Sequence, residues 1–154
     1  MSSRLFPRQF DNASYRGHWL AIWLLVIIVI LRFTMGFNSI VFTHSIGTSA
    51  DALPISGYST AGTQAVLSLF AQLGLSLVLF SLLGGVALIR YRAMIPLIYL
   101  FLLADEFGRK VLVLVRPIAR SAAGSHIASV IVLAVTAASV IGFILSLTGP
   151  RNRP

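Results

Sequence analysis

Four long apolar runs divide the chain, each bounded by polar or basic residues. The first extends from about His18 to Phe42 and contains WLAIWLLVIIVIL; the others cover about Gln64 to Ile89, Ala93 to Val115 and His126 to Leu147. About 20 apolar residues in a helix cross the roughly 30 Å of bilayer hydrocarbon, and every run is that long. A lone segment in lipid must satisfy its own backbone groups, which a helix does. The pattern predicts an all-α polytopic membrane protein, a bundle of four transmembrane helices in one membrane domain over 18–148. An arm at 1–17 precedes it and a tail at 149–154 follows. The first run exceeds the roughly 7 to 15 apolar residues of a signal-peptide core, and it lies well upstream of the small-residue triplet Ala50-Asp51-Ala52. It reads as a retained span.

Finer periodicity predicts contacts between the helices. Ala134, Ala138 and Gly142 recur every four residues in the fourth run, and Ser81 and Gly85 do so in the second. Small stripes of this kind let helix backbones approach closely in lipid. Ser68, Gln72 and Ser76 form a mildly polar stripe in the second run, expected to turn toward neighbouring helices. The connection from Thr43 to Gly62 is rich in Ser, Thr and Gly and has no Lys or Arg. It reads as an external loop that can hold a short helical turn.

Composition agrees with the pattern. The chain is 57% hydrophobic and 10% charged, against about 25% charged in soluble domains. Its net charge of +8 does not point to nucleic acid, because the basic residues form no stripe with interleaved stacking aromatics. Arg4, Arg8 and Arg16 lie in the arm, Arg90 and Arg92 between the second and third runs, and Arg151 and Arg153 in the tail. Four spans place these seven on one side and only Arg116 and Arg120 on the other, so both termini are expected in the cytoplasm. Phe6, Phe10 and Tyr15 accompany the arm's arginines, which suits an interface with anionic lipid at the cytoplasmic face. Trp19 and Trp23 mark the same interface. A rival topology has the third run only dip into the membrane, which would leave the C-terminus outside.

Chemistry is sparse. The absence of cysteine removes disulfides, thiol catalysis and thiolate metal ligands. No phosphate-cradling glycine loop, zinc-type histidine pair or nucleophile elbow occurs. His18, His44 and His126 fall at predicted helix ends. His44 and His126 would share one side, which permits a haem or metal, but two histidines without further ligands do not define a site. No catalytic residue, metal or cofactor is assigned.

The exception is LADEFGRKVL, residues 103–112, which sets four charges inside the third apolar run. One charge at a helix centre costs about 2.5 to 3.5 kcal/mol, whereas each Leu, Ile, Phe or Val returns about 0.3 to 0.6. The segment is tolerable only if its charges find partners or water. Asp105 with Arg109 and Glu106 with Lys110 are i,i+4 pairs with the acid on the N-terminal side, the favourable order. The first run carries Arg32, roughly 21 Å along from His18. Asp105 and Glu106 lie roughly 18 to 20 Å along from Ala93, on a helix running in the same direction, and Gln72, counted back from the outer end of its run, falls near that level. A buried cluster of Arg32, Gln72, Asp105, Glu106, Arg109 and Lys110 is therefore expected, with three bases against two acids; the surplus charge leaves Lys110 to snorkel toward the outer interface or to hold an anionic lipid or ligand.

The layout resembles the DoxX-like group of small bacterial four-helix inner-membrane proteins. Four spans, a longer first external loop from Thr43 to Gly62, short later connections and the Gly108-Arg109 pair carry the resemblance. It implies the fold. The expected function is a non-enzymatic accessory or assembly component of the inner membrane, with a larger membrane complex as partner. A small proton- or anion-coupled transporter or channel is the alternative, and a membrane-embedded oxidoreductase or lipid enzyme a further one.

Overall fold

The computed structural model describes Tyr15 and residues 17–49, 57–115 and 126–148. The rest of the arm, Asp51, Arg116, Arg120 and the tail lie outside the described residues, as does the His126 side chain. Five α-helices follow one another among the described residues: α1 (Trp19–Val41), α2 (Thr43–Ser49), α3 (Thr60–Arg90), α4 (Ile95–Val115) and α5 (His126–Leu147). A 3-10 turn, Arg92–Met94, joins α3 to α4.

Local signals set the ends. His18 caps α1 by accepting the Leu20 N–H on its Nδ1 at 3.2 Å. At Phe42 the chain leaves helical geometry for one residue, and α2 starts immediately afterwards. This is the helical turn expected in the external loop, extended to seven residues. Ser59 caps α3 by accepting the Gly62 N–H, so α3 starts four residues earlier than its apolar run and reaches 31 residues. Tyr91 then breaks the helix. Pro96 falls in the first turn of α4, where a missing N–H costs no helical bond, so α4 begins at Ile95 rather than Ala93.

The four long helices alternate in direction. The amide of His18 donates to Leu145 O at 3.1 Å, tying the start of α1 to the end of α5. Tyr15 donates its hydroxyl to His18 O beside that contact, and burial pushes its phenol up to about 12. We call this the near end; it also holds the α3–α4 turn. Around it Ala21, Leu25 and Ile28 of α1, Ala87 of α3, and Ile95, Ile98, Tyr99 and Leu102 of α4 form the core with Val135 of α5. Tyr99 is fully buried and donates to Ala21 O at 2.7 Å. Buried hydroxyls of Ser39, Ser81 and Ser139 each donate to a carbonyl four residues back in their own helix, the economical answer where no water is at hand.

The helix contacts differ from the expected stripes. α1 and α3 share the most extensive interface, and their closest approach is glycine on glycine. A Cβ on Gly36 would lie 2.7 Å from Gly74 O, and one on Gly74 would lie 2.8 Å from Gly36 O. Residues two apart on a helix differ by about 200° in direction. Turning Gly74 inward therefore turns Gln72 and Ser76 outward, and the Ser68, Gln72, Ser76 stripe is exposed rather than facing neighbours. Ser81 is buried as expected, but Gly84 rather than Gly85 makes the close approach, against Val29. A Cβ on Gly85 would meet nothing within 4 Å. On α5 the buried set is Val135, Ser139, Gly142 and Ser146. Gly142 belongs to the expected stripe and backs onto the Tyr99 ring; Ala138 packs at the core's edge; Ala134 is exposed.

Among the described residues three helices are long and apolar enough to cross a membrane: Trp19–Val41, Thr60–Arg90 and Val130–Leu147 within α5. α4 is comparable in length at 21 residues, but its four charges keep it outside that set. The fold is thus all-helical among the described residues and suited to a multi-pass membrane protein.

Candidate functional site

The site lies where α1 and α4 face each other beyond the Tyr99 core. α1 and α4 run in the same direction, with Ala21 meeting Tyr99 and, further along, Arg32 meeting Asp105 and Glu106. Few backbone positions of the two helices come close. The long Arg32 side chain crosses the gap.

Arg32 is only 4% exposed, and its guanidinium works as a fork. Nη1 donates to Asp105 Oδ2 at 2.8 Å, and Nη2 donates to Glu106 Oε1. Adjacent acids on a helix point about 100° apart, which lets one planar guanidinium bridge both. The other Asp105 oxygen, Oδ1, accepts from Arg109 Nε at 3.1 Å. Asp105 thus sits between two arginines, one on another helix and one a turn away. Among the described residues every buried side-chain nitrogen and oxygen has a hydrogen-bond partner, the condition under which charge persists in a low-dielectric setting.

Of the six cluster residues expected from the sequence, the structure brings together Arg32, Asp105, Glu106 and Arg109. Glu106 pairs with Arg32 instead of Lys110, and Lys110 is exposed without an ion pair among the described residues. Gln72 stands apart. Gly74 is level with Gly36, and α3 runs opposite to α1, so Gln72 falls about six residues, or roughly 9 Å, along the axis from Arg32, on the outward face. Counting depth from the ends of α3 could not detect this, because the helix extends beyond its apolar run. The Gly36–Gly74 crossing was missed for a related reason: two glycines on different helices show no periodicity.

Exposure grades outward through the cluster, from Arg32 at 4% through Glu106 at 12% and Asp105 at 23% to Arg109 at 39%. A Cβ on Gly108 would meet nothing within 4 Å, so free space adjoins the outer members. The arrangement can lock two helices in register, and its exposed edge can meet a charged group. Elsewhere, an open, wholly apolar groove of about 320 Å³ runs between α1 and α3, lined by residues including Val29, Phe33, Ser81 and Gly85. His18 serves as a helix cap, and His44 is exposed on α2. Comparison with family models, curated proteins and solved structures finds no match.

Proposed function

We propose that the chain is a non-enzymatic accessory or assembly component of the inner membrane, with four spans and both termini in the cytoplasm. In this role it offers a preset bundle to a larger membrane complex. The observation that carries the reading is the pairing of both acids: each accepts from Arg32, and Asp105 accepts from Arg109 as well. Two acids tied to one guanidinium fork fix α4 against α1, which suits a register lock. The pairing also supports a fourth span. With their partners in place, three of the four charges of α4 no longer carry the full cost of insertion, and α4 is long enough to cross.

A small proton- or anion-coupled transporter is the second reading, favoured by the partial exposure of Asp105 and Arg109. Purification in mild detergent combined with flux measurement separates the two. The accessory role predicts stoichiometric co-purification with other membrane proteins and no pH-driven or anion flux in proteoliposomes. Flux by the isolated protein that Asp105→Asn or Glu106→Gln abolishes would establish the transporter. For topology, a reporter active only in the cytoplasm should be active when fused after Pro154; a silent reporter on stably made protein would move the C-terminus outside.

A further inference from the structure

We infer that the far side of the α4 cluster binds the phosphate headgroup of an anionic phospholipid through Arg109 and Lys110. This goes beyond the accessory role and rests only on the proposed fourth span, α4.

Arg32 spends both terminal nitrogens on Asp105 and Glu106. Arg109 donates only its Nε, to Asp105, so its two terminal nitrogens have no partner among the described residues. Lys110 has no ion pair there either, and it is exposed. Three bases face two acids, and the surplus positive charge falls on the two residues with free donors.

Space and polarity narrow the ligand. Gly108, the chain neighbour of Arg109, has open space where a side chain would be. Beyond Lys110 every residue of α4 is exposed and apolar: Val111, Leu112, Val113, Leu114 and Val115, with Leu114 at 82%. Lys110 lies five residues from the end of α4, about 7.5 Å along the axis, so its ammonium can reach a headgroup layer while its stem stays on apolar surface. Free cationic donors, adjoining volume and a continuing apolar strip match a molecule with an anionic head and an acyl tail. A phosphodiester offers two terminal oxygens to the arginine fork, and Lys110 adds a point charge. A phosphocholine brings its own cation to a site already in positive surplus, and free phosphate makes no use of the apolar strip. An anionic phospholipid satisfies all three features.

The chain has no cysteine, so Leu114→Cys gives a unique thiol for a fluorophore beside the site. The labelled protein is placed in bilayers holding spin-labelled phosphatidylglycerol or, at equal mole fraction, spin-labelled phosphatidylcholine. Quenching by phosphatidylglycerol should be severalfold the stronger. Arg109→Gln with Lys110→Gln should bring the two lipids level, and Arg90→Gln, at the opposite end of the bundle, should leave the preference unchanged. Lys110→Gln alone keeps all three ion pairs and should lose part of the preference, so the test survives if the double variant fails to fold. Equal quenching by both lipids in the parent protein, or a preference that persists in both the double variant and Lys110→Gln, overturns the inference. A preference erased by millimolar inorganic phosphate overturns the lipid as occupant in favour of a free anion.

Discussion

The near and far halves of this bundle are held by different physics. In the near half the helices touch through apolar side chains around a fully buried Tyr99, and the end of α5 is hydrogen-bonded to the start of α1. In the far half α1 and α3 stay together through glycine, but the end of α4 and the early part of α5 stand clear, with Val111 to Val115 and Val130 to Leu133 all exposed. Arg32 is what reaches across to α4 there. Lipid tails are as apolar as leucine, so apolar contact alone does not choose between a neighbouring helix and the bilayer. Where side chains interlock, as at Tyr99 and Gly142, helix wins. Where they do not, a specific polar bridge must supply the preference.

The largest effect should come from cutting that bridge. Arg32→Leu leaves Asp105 and Glu106 facing each other without their shared cation, and removal of one partner from a buried pair costs about 3 to 5 kcal/mol. Folded yield and thermal stability in detergent should fall steeply, and Asp105→Asn or Glu106→Gln in the Arg32→Leu background should restore part of the loss. Strictly additive effects for both acids in the double-mutant cycle would mean that the two halves are held alike after all.

Glycine substitutions sharpen the same contrast at lower amplitude. Gly142→Ala drives a methyl into the Tyr99 ring, and Gly36→Ala drives one against the Gly74 backbone. Overpacking of this kind costs about 1 to 3 kcal/mol, and each variant should melt lower than the parent. Gly108→Ala should do the reverse. Its methyl meets nothing, and replacing a helical glycine by alanine gains about 0.4 to 1 kcal/mol. A melting temperature lowered as far by Gly108→Ala as by Gly142→Ala would contradict an open far half.

Much of this was legible in the chain itself. The boundaries of α1, α4 and α5 fall within two residues of the ends of their apolar runs, because a long apolar run bounded by polar residues marks both ends of the helix it forms. The meeting of Arg32 with Asp105 and Glu106 was also legible. Three charges in two apolar runs that form helices of the same direction, at matching distance from their starts, have few other places to go. The Asp105–Arg109 pair follows from i,i+4 geometry alone.

Rotation about each helix axis was not legible, and it decided the rest. A stripe of small or polar residues specifies a face but not which neighbour, if any, that face meets. The α5 stripe turned so that Gly142 met Tyr99 while Ala134 was left exposed. The Gly36–Gly74 contact rotated α3 until Gln72 faced outward, away from the cluster its depth had suggested. The choice of Arg32 over Lys110 as the partner of Glu106 has the same origin. Sequence spacing fixes which residues share a turn, an axial property of one helix. Which of two available cations an acid takes depends on the azimuth and separation of a second helix, and only the packed structure sets those.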